Sequence, residues 1–201
     1  LGFRIDRQGL HPLEEKIQAI RDAPPPTNVT ELRAWLGLIN YYSRFLPNLA
    51  SELVPLYVLL KTNIPWAWAT AQSNAFSKCK NLLTSSAILV HYDQNQEIVL
   101  SCDASAYGIG AVLQHRYPNG TERPIAFASR TLSSAEKNYS QIEKEGLAIV
   151  FGCCKFRQYI LGRHITIVTD HRPLVTLFDN QKGVPQMAAA RIKNGQSNYN
   201  A

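Results

Sequence analysis

The 201-residue sequence lacks the features of several common classes of protein. No run of apolar residues approaches the roughly 20 that a membrane-spanning helix needs, and no signal peptide opens the chain. Cysteine is scarce, and the four residues at positions 79, 102, 153 and 154 lack the paired spacing of a zinc ribbon. We therefore expect reduced, packed cysteines in an intracellular protein that is neither secreted nor inserted in a membrane. Leu1 in place of methionine indicates a piece of a longer polypeptide.

Charge is also sparse, since only 18% of the residues are charged and the net charge at pH 7 is +6. Twelve basic and eight acidic residues lie after residue 95, against nine and seven before it. A solvated surface accounts for this excess without any partner, and a nucleic-acid backbone is a partner that it would attract. With 45% apolar residues and no repeat or low-complexity tract, the composition predicts a globular chain of one or two domains.

Three segments place an acidic side chain where a metal site would need it. Residues 98–105 alternate between apolar and polar side chains, as in a strand, and carry Asp103 near their end. Residues 139–151 have the apolar spacing of a mostly buried helix, with Glu145 close to its buried side. Residues 164–170 form a second alternating strand that ends in Asp170. Acids from one helix and two strand ends can converge on Mg²⁺, which prefers oxygen ligands.

Each acid also has a local alternative. A lone aspartate at the end of a strand, such as Asp103, commonly belongs to a turn or a cap. Glu143 competes with Glu145 in the same helical segment. Three unpaired carboxylates in one place would repel one another, and a bound cation is the simplest relief.

The segments SCDAS, NYSQIEKEGLAIV and FRQYILGRHITIVTDHRPL resemble the RNase H domain of gypsy-type LTR retrotransposon Pol polyproteins, over residues 87–190. The resemblance implies an α/β fold with a mixed sheet, and hydrolysis of RNA in RNA–DNA hybrids. It makes Asp103, Glu145 and Asp170 the catalytic residues and the ligands of two Mg²⁺ ions, with Mn²⁺ as an alternative. Glu145 is favoured because the family's glutamate directly precedes the x-Leu-Ala-Ile run. Candidate nucleic-acid contacts in this region are Ser105, Gln141 and Arg172.

The beginning of the chain resembles two other parts of the same polyproteins. LGFRIDRQGLHP predicts a β-hairpin and resembles the end of the polymerase palm, where a hairpin grips the primer strand. LRAWLGLINYYSRFLPNLASELVPL resembles the thumb, which contacts the template–primer duplex. The implied contacts are Gly2, Phe3, Asn40, Tyr41 and Arg44. Ordinary helix packing is the alternative for Tyr41, and helix anchoring is the alternative to base stacking for Trp66 and Trp68.

Hydrophobic spacing and turn residues predict the order of the elements. Three helices are expected: one over residues 13–23, one that starts after the cap Asn28, and one over residues 71–86. Pro12 is expected at the first helical position of the first helix. Strands are expected over 87–93, 98–105, 107–115, 124–129 and 163–170, with one helix over 134–160. The predicted divisions are 1–12 (palm end), 13–86 (helical, thumb-like), 87–96 (connector), 97–192 (RNase H-like) and 193–201 (polar tail). The glycines at 108 and 110 predict either close approach of a nucleic acid or relief of crowding.

Two departures from the family stand out. Gly146 lies inside the predicted catalytic helix, where it costs about 1 kcal/mol. Residues 193–201 (KNGQSNYNA) do not resemble the family, so its last helix and fourth acid are expected to be missing, with Asp179 a poor substitute. We therefore expect a C-terminally truncated reverse transcriptase/RNase H fragment without the polymerase catalytic residues. Its expected partners are RNA–DNA hybrid, template–primer duplex and the rest of Pol, in a cytoplasmic particle or the nucleus. The alternative is a catalytically idle duplex-binding module.

Overall fold

The computed structural model describes residues 2–85 and 88–170. Buried apolar side chains form two clusters, one built by residues up to Leu89 and the other by residues from Val90 onward. We call residues 2–85 the N-terminal part and residues 88–170 the sheet part. The chain is an α/β protein in which a small helical region precedes a helix-covered mixed sheet.

An antiparallel hairpin opens the N-terminal part, as the sequence predicts. Its strands are β1 (Phe3–Asp6) and β2 (Gly9–Pro12). Gly9 has a φ of +146°, and a side chain at this position would collide with the carbonyl group of Leu89. Glycine is therefore required where the hairpin meets the chain that enters the sheet.

The helices of the N-terminal part are α1 (Glu14–Asp22), α2 (Val29–Tyr41), α3 (Leu49–Glu52), α4 (Val54–Val58) and α5 (Thr70–Thr84). Helix α1 begins at Glu14 because Leu13 keeps an extended backbone. The prediction that Pro12 is the first helical residue is wrong, since Pro12 ends β2. Asn28 caps α2 as predicted, because its side chain accepts a 2.9 Å hydrogen bond from the backbone N–H of Glu31.

The two tryptophans before α5 pack against the helices. The rings of Trp66 and Trp68 stack on each other at 5.9 Å between centroids, and Trp68 meets Phe76 of α5 edge-on. Both tryptophans lie at the edge of the first hydrophobic cluster. This position fits the anchoring alternative, because the ring faces are used within the protein.

The sheet part contains a mixed four-stranded sheet in the order β5–β4–β3–β6. Its strands are β3 (Glu97–Ala104), β4 (Gly108–Arg116), β5 (Glu122–Thr131) and β6 (Ile165–Val168). β3 and β6 are parallel, whereas the other pairs are antiparallel. The carboxyl ends of β3 and β6 therefore lie side by side, with Asp103 at the end of β3 and Asp170 just after β6.

One face of the sheet is covered by α6 (Gln141–Lys155), which is followed by the short α7 (Arg157–Ile160). The single helix predicted over residues 134–160 is wrong, because Ser140 and Glu143 form a capping box that starts α6. Gly152 lets α6 lie close to the sheet, since a Cβ there would be 3.1 Å from Sγ of Cys102. In the described part of the chain, no helix is long and apolar enough to cross a membrane.

The connector differs from the strand predicted over residues 87–93. In its described portion, from residue 88, β-structure is limited to an isolated bridge between Leu89 and Leu10. The neighbouring residue, Val90, donates a 2.8 Å hydrogen bond to the carbonyl group of Pro124 in β5. Two adjacent connector residues are thus bonded to the hairpin and to the sheet, respectively.

A buried histidine holds the turn that leads into β3. His115 is fully buried, and its Nε2 accepts a 2.9 Å hydrogen bond from the backbone N–H of Asp93. Its Nδ1 donates to the carbonyl group of Glu97 at 3.1 Å. The ring therefore satisfies backbone groups at both ends of this turn, and its tautomer follows from these partners.

The second face of the sheet packs against the N-terminal part. Helix α3 contacts β4 and β5, and the 3₁₀ turn at Ser43–Phe45 contacts β5. Phe127 of β5 packs against the first hydrophobic cluster. Gly108 and Gly110 provide the room, because a Cβ at these positions would meet Ser51 and Asn48, respectively. Relief of crowding is therefore the explanation that the structure supports for these glycines.

Candidate metal centre

The three predicted acids come together at the carboxyl ends of β3 and β6. Asp103 is the penultimate residue of β3, Asp170 follows β6, and Glu145 lies on the second turn of α6. One carboxylate oxygen from each residue lies within 4.8 Å of those of the other two. The predicted convergence of the three acids is thus present in the structure.

Glu145 is the buried member of this cluster, with 2% of its surface exposed, whereas Asp103 and Asp170 are exposed. Burial raises the pKa of Glu145, and the charges of Asp170 and Asp103 raise it further. Its Oε1 accepts a 2.7 Å hydrogen bond from Nε2 of Gln141, which lowers the pKa in opposition. The other oxygen, Oε2, is buried without a hydrogen-bond partner.

A buried carboxylate oxygen without a partner is costly unless a cation or a proton compensates it. Here that oxygen belongs to Glu145, whose carboxylate lies beside two further carboxylates that are open to solvent. All three side chains supply oxygen donors, which are the ligands that Mg²⁺ prefers and Mn²⁺ accepts. The residues therefore fit a divalent cation, which would neutralise repulsion among the carboxylates.

Gln141 connects the buried acid to the sheet. Its Nε2 also donates to the carbonyl group of Ala104, at 3.0 Å, so that one amide bridges α6 and the end of β3. The sequence predicts Gln141 as a nucleic-acid contact, and that role stays a prediction. The structure also shows that Gln141 orients Glu145, a role that the sequence did not predict. Their spacing of four residues on a helix is the signal that could have revealed it.

The predicted primer-strand contacts form an aromatic cluster with the thumb-like helix. The rings of Phe3 and Tyr41 stack at 4.9 Å with an interplanar angle of 5°. The backbone N–H of Gly2 donates to the hydroxyl group of Tyr41, and the hydroxyl group of Tyr42 donates to the carbonyl group of Gly2. Tyr42 is buried, whereas 48% of Tyr41 is exposed. Packing therefore explains Tyr42 fully, and it explains Tyr41 in part.

The other predicted contacts are scattered. Nδ2 of Asn40 donates to the hydroxyl group of Tyr57 at 3.3 Å, and Nε of Arg44 is buried without a hydrogen-bond partner. Ser105 lies in the turn after β3, where its hydroxyl group accepts a 3.0 Å hydrogen bond from the backbone N–H of Gly108. The described residues do not include Arg172, Asp179 or the polar tail at residues 193–201. The expected loss of the family's last helix and fourth acid also concerns this part of the chain.

Residues 68–167 match the model of the RNase H-like domain found in reverse transcriptase. These residues belong to that family. The match begins at Trp68 and therefore includes helix α5 as well as the sheet part. It also contains Asp103 and Glu145, whereas Asp170 lies three residues beyond its end.

Relatives of this family extend the similarity to nearly the whole chain. The retrovirus-related Pol polyprotein from transposon 412 of Drosophila melanogaster is 34% identical over 199 residues, which are 99% of this chain and 16% of the relative. The transposon Tf2-3 polyprotein of Schizosaccharomyces pombe is 33% identical over 193 residues, 95% of this chain and 14% of the relative. The predicted relationship to retrotransposon Pol proteins is confirmed, and a gypsy-type element fits these relatives. The chain thus spans a small fraction of each relative's length.

Solved structures show the same fold. The foamy viral protease–reverse transcriptase in complex with dsDNA superposes with a TM-score of 0.75 and 21% identity, over 100% of this chain and 42% of that chain. The same viral protein in complex with an RNA/DNA hybrid gives a TM-score of 0.73 and 22% identity, over 100% and 27% of the respective chains. The predicted fold class, a thumb-like helical region followed by an RNase H-like mixed sheet, is confirmed.

Proposed function

We propose that this chain is a reverse transcriptase/RNase H segment that hydrolyses the RNA strand of RNA–DNA hybrids. The observation that carries the proposal is the convergence of Asp103, Glu145 and Asp170, whose carboxylate oxygens lie within 4.8 Å of one another. The family match of residues 68–167 to an RNase H-like domain of reverse transcriptases supports the same reaction class.

In this proposal, Asp103, Glu145 and Asp170 hold two Mg²⁺ ions, with Mn²⁺ as an alternative. When bound, divalent ions activate the attacking water and stabilise the leaving 3′-oxygen. Gln141 fixes the buried carboxylate of Glu145, which leaves its unpartnered Oε2 available as a ligand. The exposed carboxylates of Asp103 and Asp170 form the open side of the site, where a phosphodiester can approach.

The nucleic-acid partners rest on separate observations. The similar foamy viral protein has been solved in complex with dsDNA and with an RNA/DNA hybrid. This chain has a net charge of +6, which favours a polyanion. The exposed ring of Tyr41, stacked on Phe3, is the proposed contact to the template–primer duplex. The remainder of a Pol polyprotein is the other proposed partner, since the relatives are much longer.

The decisive experiment measures cleavage of an RNA–DNA hybrid by the 201-residue chain with Mg²⁺, with Mn²⁺ and with EDTA. We expect cleavage of the RNA strand that EDTA abolishes and that Asp103→Asn reduces by at least about 100-fold. Glu143→Gln is the control. Glu143 lies on helix α6, as Glu145 does, but it caps the start of the helix and does not join the acidic cluster.

The same assay separates the proposal from the idle duplex-binding module. Hybrid binding in EDTA that is accompanied by no cleavage in either metal would support the idle module and overturn the proposed activity. Equal loss of cleavage in Asp103→Asn and Glu143→Gln would show that the acidic cluster has no special role.

A further inference from the structure

Asp103 belongs to a row of three residues that runs across the sheet. It pairs with Gly110 on β4, and Gly110 pairs in turn with Ser129 on β5. Directly paired residues project from the same face of a sheet, and neighbouring strands lie about 4.8 Å apart. The row therefore places Gly110 and Ser129 beside Asp103 on the face opposite α6.

A short segment of the N-terminal part, residues 47–51, lies on this row. The side chain of Asn48 occupies the space above Gly110, so that a Cβ there would collide with its Oδ1. The backbone N–H of Ala50 donates a 3.0 Å hydrogen bond to Oγ of Ser129. Asn48 has a φ of 50° and a ψ of 25°, a left-handed conformation that asparagine tolerates better than most residues. The segment thus covers two of the three positions, and Asp103 is the third.

The same segment also contacts the turn that follows Asp103. The hydroxyl groups of Ser51 and Ser105 are 3.0 Å apart. Ser105 in turn accepts hydrogen bonds from the backbone N–H groups of Tyr107 and Gly108, at 3.2 and 3.0 Å. Ser51 is therefore connected to the side chain of Ser105, two residues after Asp103, and through it to the backbone of the turn.

A cavity of about 150 Å³ adjoins Asp103 on this side of the sheet, and Pro47, Asn48 and Gly110 are among its lining residues. The carboxylate of Asp103 is repelled by Glu145 and Asp170 whenever no cation is bound. The cavity offers space into which the Asp103 carboxylate could move away from Glu145 and Asp170. Pro47 and Asn48 bound the cavity and thereby limit that movement.

We infer that Asn48 and Ser51 are positioning residues of the nuclease site, which keep Asp103 directed at Glu145 and Asp170. This inference rests on the proposed function. Neither residue forms a hydrogen bond to the acidic cluster; Asn48 acts through the space that it fills beside Gly110 and the cavity that it shares with Asp103, and Ser51 acts through Ser105. The thumb-like region is then a structural part of the nuclease site in addition to its proposed contact with the duplex.

The test is a pair of substitutions in the 201-residue chain. Gly110→Ala introduces a methyl group against Asn48, and we expect kcat for hybrid cleavage to fall about 10-fold and the Mg²⁺ concentration for half-maximal rate to rise, with KM for the hybrid unchanged. Asn48→Gly alone suits the left-handed backbone but removes the side chain that fills the space beside Gly110, so it should also lower kcat and raise the Mg²⁺ requirement. Ser51→Ala should raise the Mg²⁺ requirement in the same direction, which provides a second variant if Gly110→Ala does not fold.

The outcomes separate this inference from the proposed function. Affinity for Ca²⁺, measured by calorimetry, reports the cluster without catalysis, and we expect it to be weakened in both Gly110→Ala and Asn48→Gly. A wild-type chain that neither binds a divalent ion nor cleaves hybrid overturns the proposed function. A wild-type chain that does both, together with an unchanged Mg²⁺ requirement and an unchanged Ca²⁺ affinity in the folded variants, overturns the inference alone.

Discussion

The side-chain amide of Gln141 donates a 2.7 Å hydrogen bond to Oε1 of Glu145, one turn further along the same helix. The amide also donates to the carbonyl group of Ala104, which lies directly after Asp103. A single side chain therefore sets the distance between the buried acid of the helix and the acid of the strand. Such outer partners commonly tune a metal site as strongly as some of its ligands.

Gln141→Ala should weaken the metal site without unfolding the protein. Loss of the two hydrogen bonds frees the Glu145 carboxylate to rotate, and we expect about a 10-fold loss of Ca²⁺ affinity by calorimetry. Gln141→Glu should be worse, because it places a like charge against a carboxylate that burial already disfavours. Lys137→Ala, an exposed residue before the helix, is the control. Unchanged affinity in both Gln141 variants would mean that Glu145 is held by its surroundings alone.

Glu136→Gln should reduce stability in a pH-dependent way. The Arg130 guanidinium makes two hydrogen bonds to Glu136, of 2.7 and 2.8 Å, and holds the pKa of this carboxyl below its usual value of 4.5. The stabilisation is therefore present above pH 4.5 and is lost as the pH falls through the lowered pKa. We expect the variant to lose about 1 kcal/mol of unfolding free energy near neutral pH, because the pair is partly exposed.

Urea unfolding at several pH values measures this difference, and a double-mutant cycle with Arg130→Gln isolates the pair. The coupling energy between Glu136 and Arg130 should decline toward zero as the pH is lowered below 4.5. A coupling energy that stays constant across this range would exclude the ion pair as its source.

The cysteines should react with a thiol reagent in an order set by burial. Burial raises the pKa of both Cys79 and Cys102 to about 12, so their reactive thiolate is scarce at mildly alkaline pH. Cys153 and Cys154 are both partly exposed, but burial raises the pKa of Cys153, so Cys154 should be labelled first; Cys79 and Cys102 should react only after denaturant is added. Mass spectrometry of labelled peptides gives the order, with Cys154→Ser as the control for its assignment. Early labelling of Cys102 would indicate that the contact between helix and sheet opens readily.

Lys80→Met should destabilise the packing of α5 against α1. Nζ of Lys80 donates to the carbonyl groups of Arg21 and Ala23 at the end of α1, and it lies 4.3 Å from the ring centroid of Phe76. Methionine retains much of the apolar stem but leaves these carbonyl groups without their donor, at a cost of about 1 kcal/mol. Lys78→Met, on the same helix, removes an exposed ion pair with Glu52 and should cost less than half as much. Thermal unfolding of the two variants provides the comparison, and equal losses would contradict the role assigned to the α1 carbonyls.

The acidic cluster was predictable because each acid follows from a local pattern. Alternation marks the strands that carry Asp103 and precede Asp170, and helical spacing places Glu145 on a buried side. The division of the helix at Ser140 was not predicted, because residues 134–139 contain no proline or glycine that would stop a helix and only the Ser-x-x-Glu pair marks the cap. Contacts such as Asn48 on Gly110 join residues 62 positions apart, and nothing in the local sequence of either residue indicates the other.

The connector has a consequence for how such polyproteins can exchange parts. Leu89 is bonded to the hairpin through Leu10, and Val90 is bonded to the outer strand through Pro124. A recombination junction before Leu89 would make the bond to Leu10 join segments from different parents, and a junction after Val90 would do the same for the bond to Pro124. Gly9 limits which hairpins can be exchanged, since any side chain at that position would collide with the carbonyl group of Leu89. A junction between Leu89 and Val90 keeps each bond within the segment of one parent, and that is where a viable chimera is expected to be joined.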